Sequence, residues 1–344
     1  MKFIFNRKIL ILIGIKLLLF YGIHKVYRKY SSEWERCKAN SAIIIEDSFS
    51  DLPREKIIND AIFFIETTNS TDHQLTARQA CAIESAAYVN PNKEIIVLFL
   101  TASNYIRLRH WPHFKHLLKY KNIHLRYFNI NDLTAETPFE EWIETGYVSN
   151  SPYQTSHLSD ILRYAVLYKY SGLYLDLDVI TIKPIDSIKH KNFACLEENR
   201  KRFQSINGAV LRVSDQNGRE LIHMMIDQVI KTYDSRKHWD IGPRLVTKVL
   251  KEYCEIDDFL KTTECKNFKI LPIEKCYAIE GYEWYKFYRE SDTKLVLKST
   301  KDSYYIHLWN YQSSKNKISK SKNVAFNVLA SKYCPLVYEN NDEL

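Results

Sequence analysis

The chain has 344 residues, of which 45% are hydrophobic and 26% are charged, a composition that is ordinary for a globular protein. Its formal net charge is +8, but the basic residues are concentrated near the two ends of the chain. No zinc-finger, RNA-binding or helix-turn-helix pattern is present, so we expect no nucleic-acid partner. A basic end beside an apolar run is more typical of a protein that lies at a membrane surface.

An apolar segment opens the chain. It begins near residue 3, and its clearest part covers residues 9–23, interrupted only by Lys16. This length is marginal against the ~20 residues that cross a bilayer. No small-residue cleavage site follows, which favours an uncleaved signal-anchor and leaves a cleaved signal peptide as the alternative. We expect a cytoplasmic tail at 1–8, a transmembrane segment at 9–23, a polar stem at 24–58 and one luminal domain at 59–344.

Short apolar runs alternate with amphipathic segments from residue 61 onward. The pattern predicts strands at 61–65, 94–100 and 123–128, a helix at 75–89, and a helical stretch broken at Pro112. This β-α-β-α-β order is typical of a mainly parallel sheet that is covered by helices on both faces. Ligands of such sheets bind outside the carboxyl ends of the strands.

The cysteines favour an oxidising compartment. None of the seven forms a C-x-x-C pair, so we expect no structural zinc, and Cys254, Cys265 and Cys276 lie in a loop-like region typical of a disulfide framework. Scattered buried thiols are the alternative, and the pairing stays open. One cysteine must be left over, and Cys37 in the stem is the best candidate for a free or intermolecular thiol. The single N-glycosylation sequon, at 69–71, agrees with a luminal domain.

The segment 157–184 is the most informative part of the chain. It reads as a helix that Ser156 or Ser159 caps and Gly172 closes, followed by a buried strand at 173–175. The strand ends at Asp176-Leu177-Asp178. Two carboxylates at the end of a strand suit a hard divalent cation that bridges a diphosphate leaving group. A lone D-x-D also arises by chance, and a solvated turn is the alternative interpretation.

The helix before this pair adds a second charged pair. Asp160 and Arg163 are three residues apart, so both side chains can lie on one helical face. A carboxylate there can accept hydrogen bonds from sugar hydroxyls while a guanidinium contacts phosphate. A local salt bridge within the helix is the alternative.

Several motifs together resemble those of the α1,4-glycosyltransferase family, which includes lactosylceramide 4-α-galactosyltransferases and α1,4-N-acetylglucosaminyl- and N-acetylgalactosaminyltransferases. The resemblance covers about residues 60–340. The motifs occur in family order: IFFIETT at 62–68, RQACAIESAAYVNP at 78–91, TPFEEW at 137–142, SDILRYAVLYKYSGLYLDLDV at 159–179, NGAVL at 207–211, GPRLVTKVLKEYC at 242–254, HLWN at 307–310 and KYCP at 332–335.

The resemblance implies a GT-A-type, Rossmann-like mixed sheet in a type II Golgi membrane protein. It implies a retaining hexosyltransferase that uses Mn²⁺ and transfers galactose or N-acetylgalactosamine in α1,4 linkage from a UDP-sugar to a glycosphingolipid or other glycan. It also implies roles for residues of this chain. Asp176 and Asp178 would bind the metal and the diphosphate, and Asp160 and Arg163 would hold the donor sugar. Asn207 and Gly208 would form the floor near the reacting carbon, and Glu66 and Thr67 would lie near the uridine.

His307 is implied as a third metal ligand or a diphosphate contact, with a buried structural histidine as the alternative. We expect front-face transfer in which Asp176, Asp178 and Arg163 stabilise the departing UDP, and we assign no carboxylate as a covalent nucleophile. We expect any homodimer to form through the stem.

The chain departs from the family pattern at two positions. Ser171 stands where the family usually has glycine, and we expect little effect because Gly172 keeps the helix-ending position. Ile241 stands where the family usually has an amide, which predicts altered specificity or reduced activity if that amide touches a sugar. An inactive or weakly active homologue that binds sugar nucleotide or acts as a Golgi scaffold is therefore one alternative function. A lectin-like membrane protein that uses Ca²⁺ at the same carboxylates is a second alternative.

Overall fold

The computed structural model describes residues 43–53, 60–69, 72–73, 75–108, 115–200 and 203–344. The predicted cytoplasmic tail, the transmembrane segment and most of the stem, including Cys37, lie outside the described residues. So do Ser70 and Thr71 of the sequon. Within the described ranges, no helix combines the length and apolarity needed to cross a bilayer.

The strands form one large sheet and two small ones. They are β1 Ile43–Ile45, β2 Ile62–Glu66, β3 Asp72–His73, β4 Ile95–Leu100, β5 Ile106–Leu108, β6 Ile123–Phe128, β7 Gly172–Leu175, β8 Val179–Thr181, β9 Asn192–Arg200, β10 Phe203–Val213, β11 Glu264–Cys265, β12 Phe268–Leu271 and β13 Tyr305–His307. The large sheet has the order β11-β12-β9-β10-β7-β2-β4-β6, and the small sheets have the orders β1-β5-β3 and β13-β8.

One half of the large sheet is parallel, as predicted. β7, β2, β4 and β6 run in the same direction. In the other half, β10 is antiparallel to both β7 and β9, and β11 is antiparallel to β12, while β12 pairs in parallel with β9. The mixed Rossmann-like sheet is therefore confirmed. The expectation of a mainly parallel sheet holds only for the strands before β9.

The helices cover both faces of the large sheet. They are α1 Ala77–Val89, α2 Ile130–Thr134, α3 Glu140–Ile143, α4 Gln154–Tyr170, α5 Gln216–Thr232, α6 Pro243–Cys254, α7 Thr293–Ser299, α8 Asn310–Ser313, α9 Ala325–Tyr333 and α10 Pro335–Glu339. Successive residues of β2 point to opposite faces, so Ile62 and Phe64 enter the core beneath α1 while Phe63 and Ile65 enter the core beneath α4. This double burial explains the continuous apolar runs of the central strands.

The helical stretch that the sequence predicts is broken at Pro112, which lies outside the described residues. The prediction is wrong on the N-terminal side of that proline, and on the C-terminal side the helix is present only as a single short turn. Residues 106–108 form β5, which pairs with β1 and β3, and residues 117–119 form a short 3₁₀ helix. Ile106 and Leu108 are buried while Arg107 between them is exposed. That alternation has the period of a strand and not of a helix.

The ends of α4 also differ from the prediction. The helix begins at Gln154, and neither Ser156 nor Ser159 caps it. Its last turn is closed by Ser171, whose φ is +58°, and Gly172 is already the first residue of β7. Gly172 is required at this strand position for two reasons, because its φ is +106° and because a Cβ there would lie 2.5 Å from the carbonyl oxygen of Ala61.

Six cysteines pair in three disulfides, which confirms the predicted framework. The pairs are Cys81–Cys334, Cys195–Cys276 and Cys254–Cys265. The first joins α1 to the segment between α9 and α10, and the second joins β9 to the segment that precedes β13. The C-terminal part of the chain is therefore tied covalently to the sheet.

Candidate active site

Asp176 and Asp178 lie in a tight turn at the carboxyl end of β7. The amide of Asp176 donates to the carbonyl of Ala209 on β10 at 2.9 Å, and the amide of Val179 donates back to the carbonyl of Asp176 at 3.0 Å. The turn is thus anchored to the neighbouring strand on one side and to the start of β8 on the other. Both carboxylates are held at the sheet edge by backbone that has little freedom to move.

His307 reaches the same place from a distant part of the sequence. It ends β13, which pairs with β8 so that His307 lies opposite Val179. Its Nε2 lies 3.3 Å from Oδ1 of Asp178, and one ligand atom from each of Asp176, Asp178 and His307 lies within 4.8 Å of the others. These three side chains form a group that can hold a metal ion.

Asp178 is the more enclosed of the two carboxylates. Its Oδ2 accepts a hydrogen bond from the amide of Asn310 at 2.8 Å, and the amide of Leu308 donates to its carbonyl at 2.9 Å. Burial raises the pKa of Asp178, while the adjacent His307 acts in the opposite direction. A cation bound between these groups would favour the ionised carboxylate that burial alone disfavours.

Arg163 links α4 to the Asp-x-Asp turn. Its Nη2 lies 3.0 Å from Oδ1 of Asp176 and 3.3 Å from Oδ1 of Asp160, and its guanidinium lies over the ring of Tyr174 at 4.7 Å. The hydroxyl of Tyr174 donates to Asp176 at 2.8 Å and meets the hydroxyl of Ser159 at 3.1 Å. Arg163 therefore forms a tertiary ion pair with Asp176 in addition to the helical pair with Asp160.

Asp160 is a buried carboxylate at the side of this network. Burial raises its pKa to about 6, against the lowering effect of Arg163. Two glycines let the backbone approach this charged pair. A Cβ at Gly208 would lie 2.7 Å from Nη1 of Arg163, and a Cβ at Gly242 would lie 2.9 Å from Oδ2 of Asp160.

Two adjoining cavities meet at the carboxylates. The first has a volume of about 400 Å³, and the second has a volume of about 750 Å³. Both are lined by Asp176, Asp178 and Arg163. The other predicted residues divide between them: Asp160, Asn207 and His307 line the first cavity, while Glu66 and Thr67 line the second.

Glu66 is the last residue of β2, one residue later than the predicted end of the strand, and Thr67 follows it. The carboxylate of Glu66 accepts hydrogen bonds from the amide and the hydroxyl of Thr68, both at 3.0 Å, and the hydroxyl of Thr67 donates to the carbonyl of Thr155 at 2.8 Å. Gly208 lines neither cavity, but it lies so close to Arg163 that a Cβ on it would be 2.7 Å from Nη1 of that side chain. The structure thus gathers every predicted site residue around the Asp-x-Asp turn, and their individual roles stay predictions.

Ile241 lies elsewhere. Its side chain is 1% exposed and packs in the core under α4 and α6, and its carbonyl accepts a hydrogen bond from the hydroxyl of Tyr164 at 2.8 Å. It lines neither of the two cavities. The described contacts therefore provide no direct route by which this side chain touches a sugar, and its neighbour Gly242 is the residue that meets Asp160.

Several residues of the first cavity were not predicted from the sequence. Glu197 lies on β9, where no motif marks it, and Trp239 and Tyr311 are aromatic residues in a chain that is rich in them. The position of Tyr311 four residues after His307 was the only available signal. Glu197 and Trp239 are brought to the site by tertiary structure alone.

The fold and the site define a glycosyltransferase. Residues 76–194, which contain the Asp-x-Asp turn, match the glycosyltransferase sugar-binding region containing DXD motif. Residues 214–341, which contain His307, match the alpha 1,4-glycosyltransferase conserved region. The resemblance to α1,4-glycosyltransferases is confirmed, and the chain is a hexosyltransferase related to them.

Relatives with these names align with most of the chain. Human lactosylceramide 4-alpha-galactosyltransferase is 26% identical to this chain over 81% of this chain and 76% of its own length. The mouse protein of the same name is 27% identical over 80% of this chain and 75% of its own length. Human alpha-1,4-N-acetylglucosaminyltransferase is 27% identical over 81% of this chain and 80% of its own length. Among solved structures, the apo-form glycosyltransferase GlyE of Streptococcus pneumoniae TIGR4 has a TM-score of 0.44 at 14% identity, covering 81% of this chain and 62% of that one.

Proposed function

We propose that this enzyme transfers galactose or N-acetylgalactosamine from a UDP-sugar, in α1,4 linkage, to a glycosphingolipid or another glycan, and that it requires Mn²⁺. The observation that carries the proposal is the group formed by Asp176, Asp178 and His307 at the junction of two cavities. A donor with its uridine in the second cavity would extend past these side chains and place its sugar in the first cavity, beside Asp160 and Asn207. UDP-hexoses are α-linked, so an α-linked product corresponds to retention of configuration.

The three side chains suit Mn²⁺. Two carboxylates and one imidazole offer oxygen and nitrogen together, and Mn²⁺ accepts both types of ligand. Ca²⁺ prefers a larger set composed of oxygens, so this group does not favour the Ca²⁺-dependent lectin. When bound, the ion would neutralise charge that develops on the diphosphate leaving group.

The chain's own residues would orient the donor. Arg163 is held by Asp176 and Asp160, which fixes its guanidinium beside the carboxylates. A cation fixed in this way stabilises developing negative charge without reorganisation during the reaction. Asp160, paired on one side only, keeps lone pairs that can accept hydrogen bonds from hydroxyls of the donor sugar. Glu66 and Thr67 would lie near the uridine in the second cavity.

We further propose that the enzyme is a type II Golgi membrane protein, with its anchor at 9–23, its stem at 24–58, and residues 59–344 in the lumen. The three disulfides support an oxidising compartment, because such bonds persist there and are rare in the cytosol. Any homodimer would form through the stem.

Transfer assays with the purified full chain test this function. UDP-galactose, UDP-N-acetylgalactosamine and UDP-N-acetylglucosamine would be offered with lactosyl acceptors, with and without Mn²⁺. We expect metal-dependent turnover of one donor and its loss in Asp178→Asn. The exposed Asp257→Asn serves as the control. Binding of UDP without turnover on any acceptor would contradict the enzymatic function and favour the scaffold.

Metal binding supplies a readout that is independent of turnover. The electron paramagnetic resonance signal of free Mn²⁺ falls as the ion binds, which gives its dissociation constant. We expect that constant to rise at least about tenfold in Asp178→Asn and to stay unchanged in Asp257→Asn. Equal constants in the wild type and in Asp178→Asn would remove the metal from the proposal.

A further inference from the structure

Arg78 is a buried arginine with no carboxylate partner among the described residues. It lies in the first turn of α1, its side chain is 4% exposed, and burial lowers the pKa of its guanidinium. A cation at the N-terminal end of a helix is also disfavoured by the helix dipole. Arg78 lines neither of the two cavities at the carboxylates. The unfavourable burial of this charge is therefore offset by contacts away from a bound donor.

The guanidinium of Arg78 holds the C-terminal end of α8. Its Nη1 donates to the carbonyl of Ser313 at 2.8 Å and to the hydroxyl of Ser313 at 3.3 Å. Its Cζ lies 4.7 Å from the ring centroid of Tyr288 and 5.5 Å from that of Phe326. The two rings and the two hydrogen bonds together fix the guanidinium, because its donors have a rigid planar geometry. Ser313 is therefore held at a defined position against α1.

Ser313 connects Arg78 to the residues that contact Asp178. The hydroxyl of Ser313 donates to the carbonyl of Leu308 at 2.9 Å, and the amide of Leu308 donates to the carbonyl of Asp178 at 2.9 Å. At the start of α8, the amide of Asn310 donates to Oδ2 of Asp178 at 2.8 Å. Both of these hydrogen bonds to Asp178 thus come from one short segment, and Arg78 fixes the far end of that segment.

The backbone between these two hydrogen bonds is strained. Trp309 has a φ of +57° and a ψ of +50°, the left-handed conformation that non-glycine residues rarely adopt. Its Nε1 donates to the carbonyl of Ile279 at 2.9 Å, and a Cβ at Gly281 would lie 3.2 Å from its ring. Strain of this kind persists only where the surrounding contacts enforce it. If one end of the segment were released, Trp309 would relax and turn the amide of Asn310 away from Asp178.

We propose that Arg78 is a positioning residue for the carboxylate of Asp178, and that it acts by holding α8 so that the amide of Asn310 stays on Oδ2. This inference rests on the proposed metal site and adds a residue that lies outside it. While the amide binds Oδ2, the other oxygen, Oδ1, faces Nε2 of His307 at 3.3 Å. Loss of the amide would leave the carboxylate free to rotate, so the three ligand atoms of the site would no longer converge.

Mn²⁺ binding to Arg78→Met tests the positioning role. Methionine can pack against the same two rings but cannot donate to Ser313. We expect the dissociation constant of Mn²⁺ for the folded protein to rise at least about tenfold, and Arg78→Lys to recover part of the affinity because an ammonium group still donates. A purely structural role would lower Tm and leave this constant unchanged.

Arg212→Met is the matched control, because Arg212 is a buried arginine of β10 that lines neither cavity. We expect it to bind Mn²⁺ as the wild type does. An unchanged dissociation constant in Arg78→Met, or an equal rise in Arg212→Met, would overturn the positioning role.

Hydrogen exchange separates this inference from the proposed function. Mass spectrometry of the peptide that contains the Asn310 amide is carried out in EDTA, so the result depends neither on a metal nor on turnover. We expect this amide to exchange at least about tenfold faster in Arg78→Met than in the wild type, and at the wild-type rate in Arg212→Met. Ser313→Ala is a smaller change that removes the hydroxyl bonds to Leu308 and Arg78, and we expect it to raise the rate about threefold.

The two measurements can fail independently. If the wild type binds no Mn²⁺ but exchange rises in Arg78→Met, the proposed metal requirement fails, and the positioning of the Asp178 carboxylate is still supported. Equal exchange rates in the wild type, Arg78→Met and Ser313→Ala would refute the positioning role itself, whatever the activity of the enzyme.

Discussion

Replacement of Asp160 by asparagine tests whether the site carries a buried charge at the expense of stability. The carboxylate is buried, and its only described ion pair is with Arg163, at 3.3 Å. Arg163 also pairs with Asp176 at 3.0 Å. Removal of the charge at Asp160 therefore leaves Arg163 with a partner, and no isolated buried charge is created.

The expected gain follows from the pKa of Asp160. Burial raises this pKa from 3.8 to about 6 despite the attraction of Arg163, and that shift corresponds to about 3 kcal/mol. The folded state binds the proton more tightly than the unfolded state, so stability falls as pH rises between these values. Asparagine avoids this loss, but its amide needs hydrogen-bond partners of its own. We expect Asp160→Asn to raise the free energy of unfolding at pH 7.5 by about 1–3 kcal/mol.

Thermal unfolding in the presence of EDTA measures the effect. A gain of this size raises Tm by roughly 3–10 °C, and it should be full above about pH 6 and shrink toward zero near pH 3.8. Asp257→Asn, at an exposed carboxylate, is the control and should leave Tm unchanged. The same Asp160→Asn variant should lose transfer activity. A Tm at pH 7.5 equal to or below that of the wild type would refute the reasoning.

Three further substitutions test other features of the fold and the site. Gly208→Ala places a methyl group 2.7 Å from Nη1 of Arg163, so we expect transfer to fall at least about tenfold, and wild-type turnover would contradict the packing. Ser171→Gly removes the cost of a φ of +58° and should raise the unfolding free energy by about 1 kcal/mol in urea titrations. A decrease would contradict this and show that the 3.4 Å contact of Ser171 with Arg219 outweighs the backbone cost. His116 is buried, and burial lowers its pKa below 6.5, so stability is lost as pH falls through 6.5. We expect His116→Leu to flatten the Tm profile between pH 6.5 and 5, and an unchanged slope would show that His116 does not contribute.

Local signals in the sequence were sufficient for the parallel half of the sheet. The apolar runs that became β2 and β4 are buried on both faces, and such runs can be recognised without knowledge of their neighbours. The edge strand β6 instead shows the partial alternation of buried and half-buried residues that is typical of a strand with one covered face. The Asp-x-Asp pair was identified for the same reason, because it directly follows a short apolar strand and needs no distant residue to be placed. The resemblance to a family added His307, which no local pattern distinguishes from a packed histidine.

Other features depended on tertiary contacts between segments that are distant in the sequence. The end of α4 depends on the carbonyl of Ala61, which the chain passes so closely at Gly172 that no Cβ fits there. Ser171 and Gly172 both take a positive φ, of +58° and +106°. The antiparallel strands β9 and β10 bring Glu197 to Asn207, and the segment that precedes α6 places Trp239 beside Tyr311, through contacts between segments that are far apart in sequence. The sequence by itself determined the metal-binding pair, because two carboxylates after one strand are local chemistry. Only the tertiary structure decided which side chains face them across the cavity, because such contacts depend on packing between elements and leave no periodic pattern in the chain.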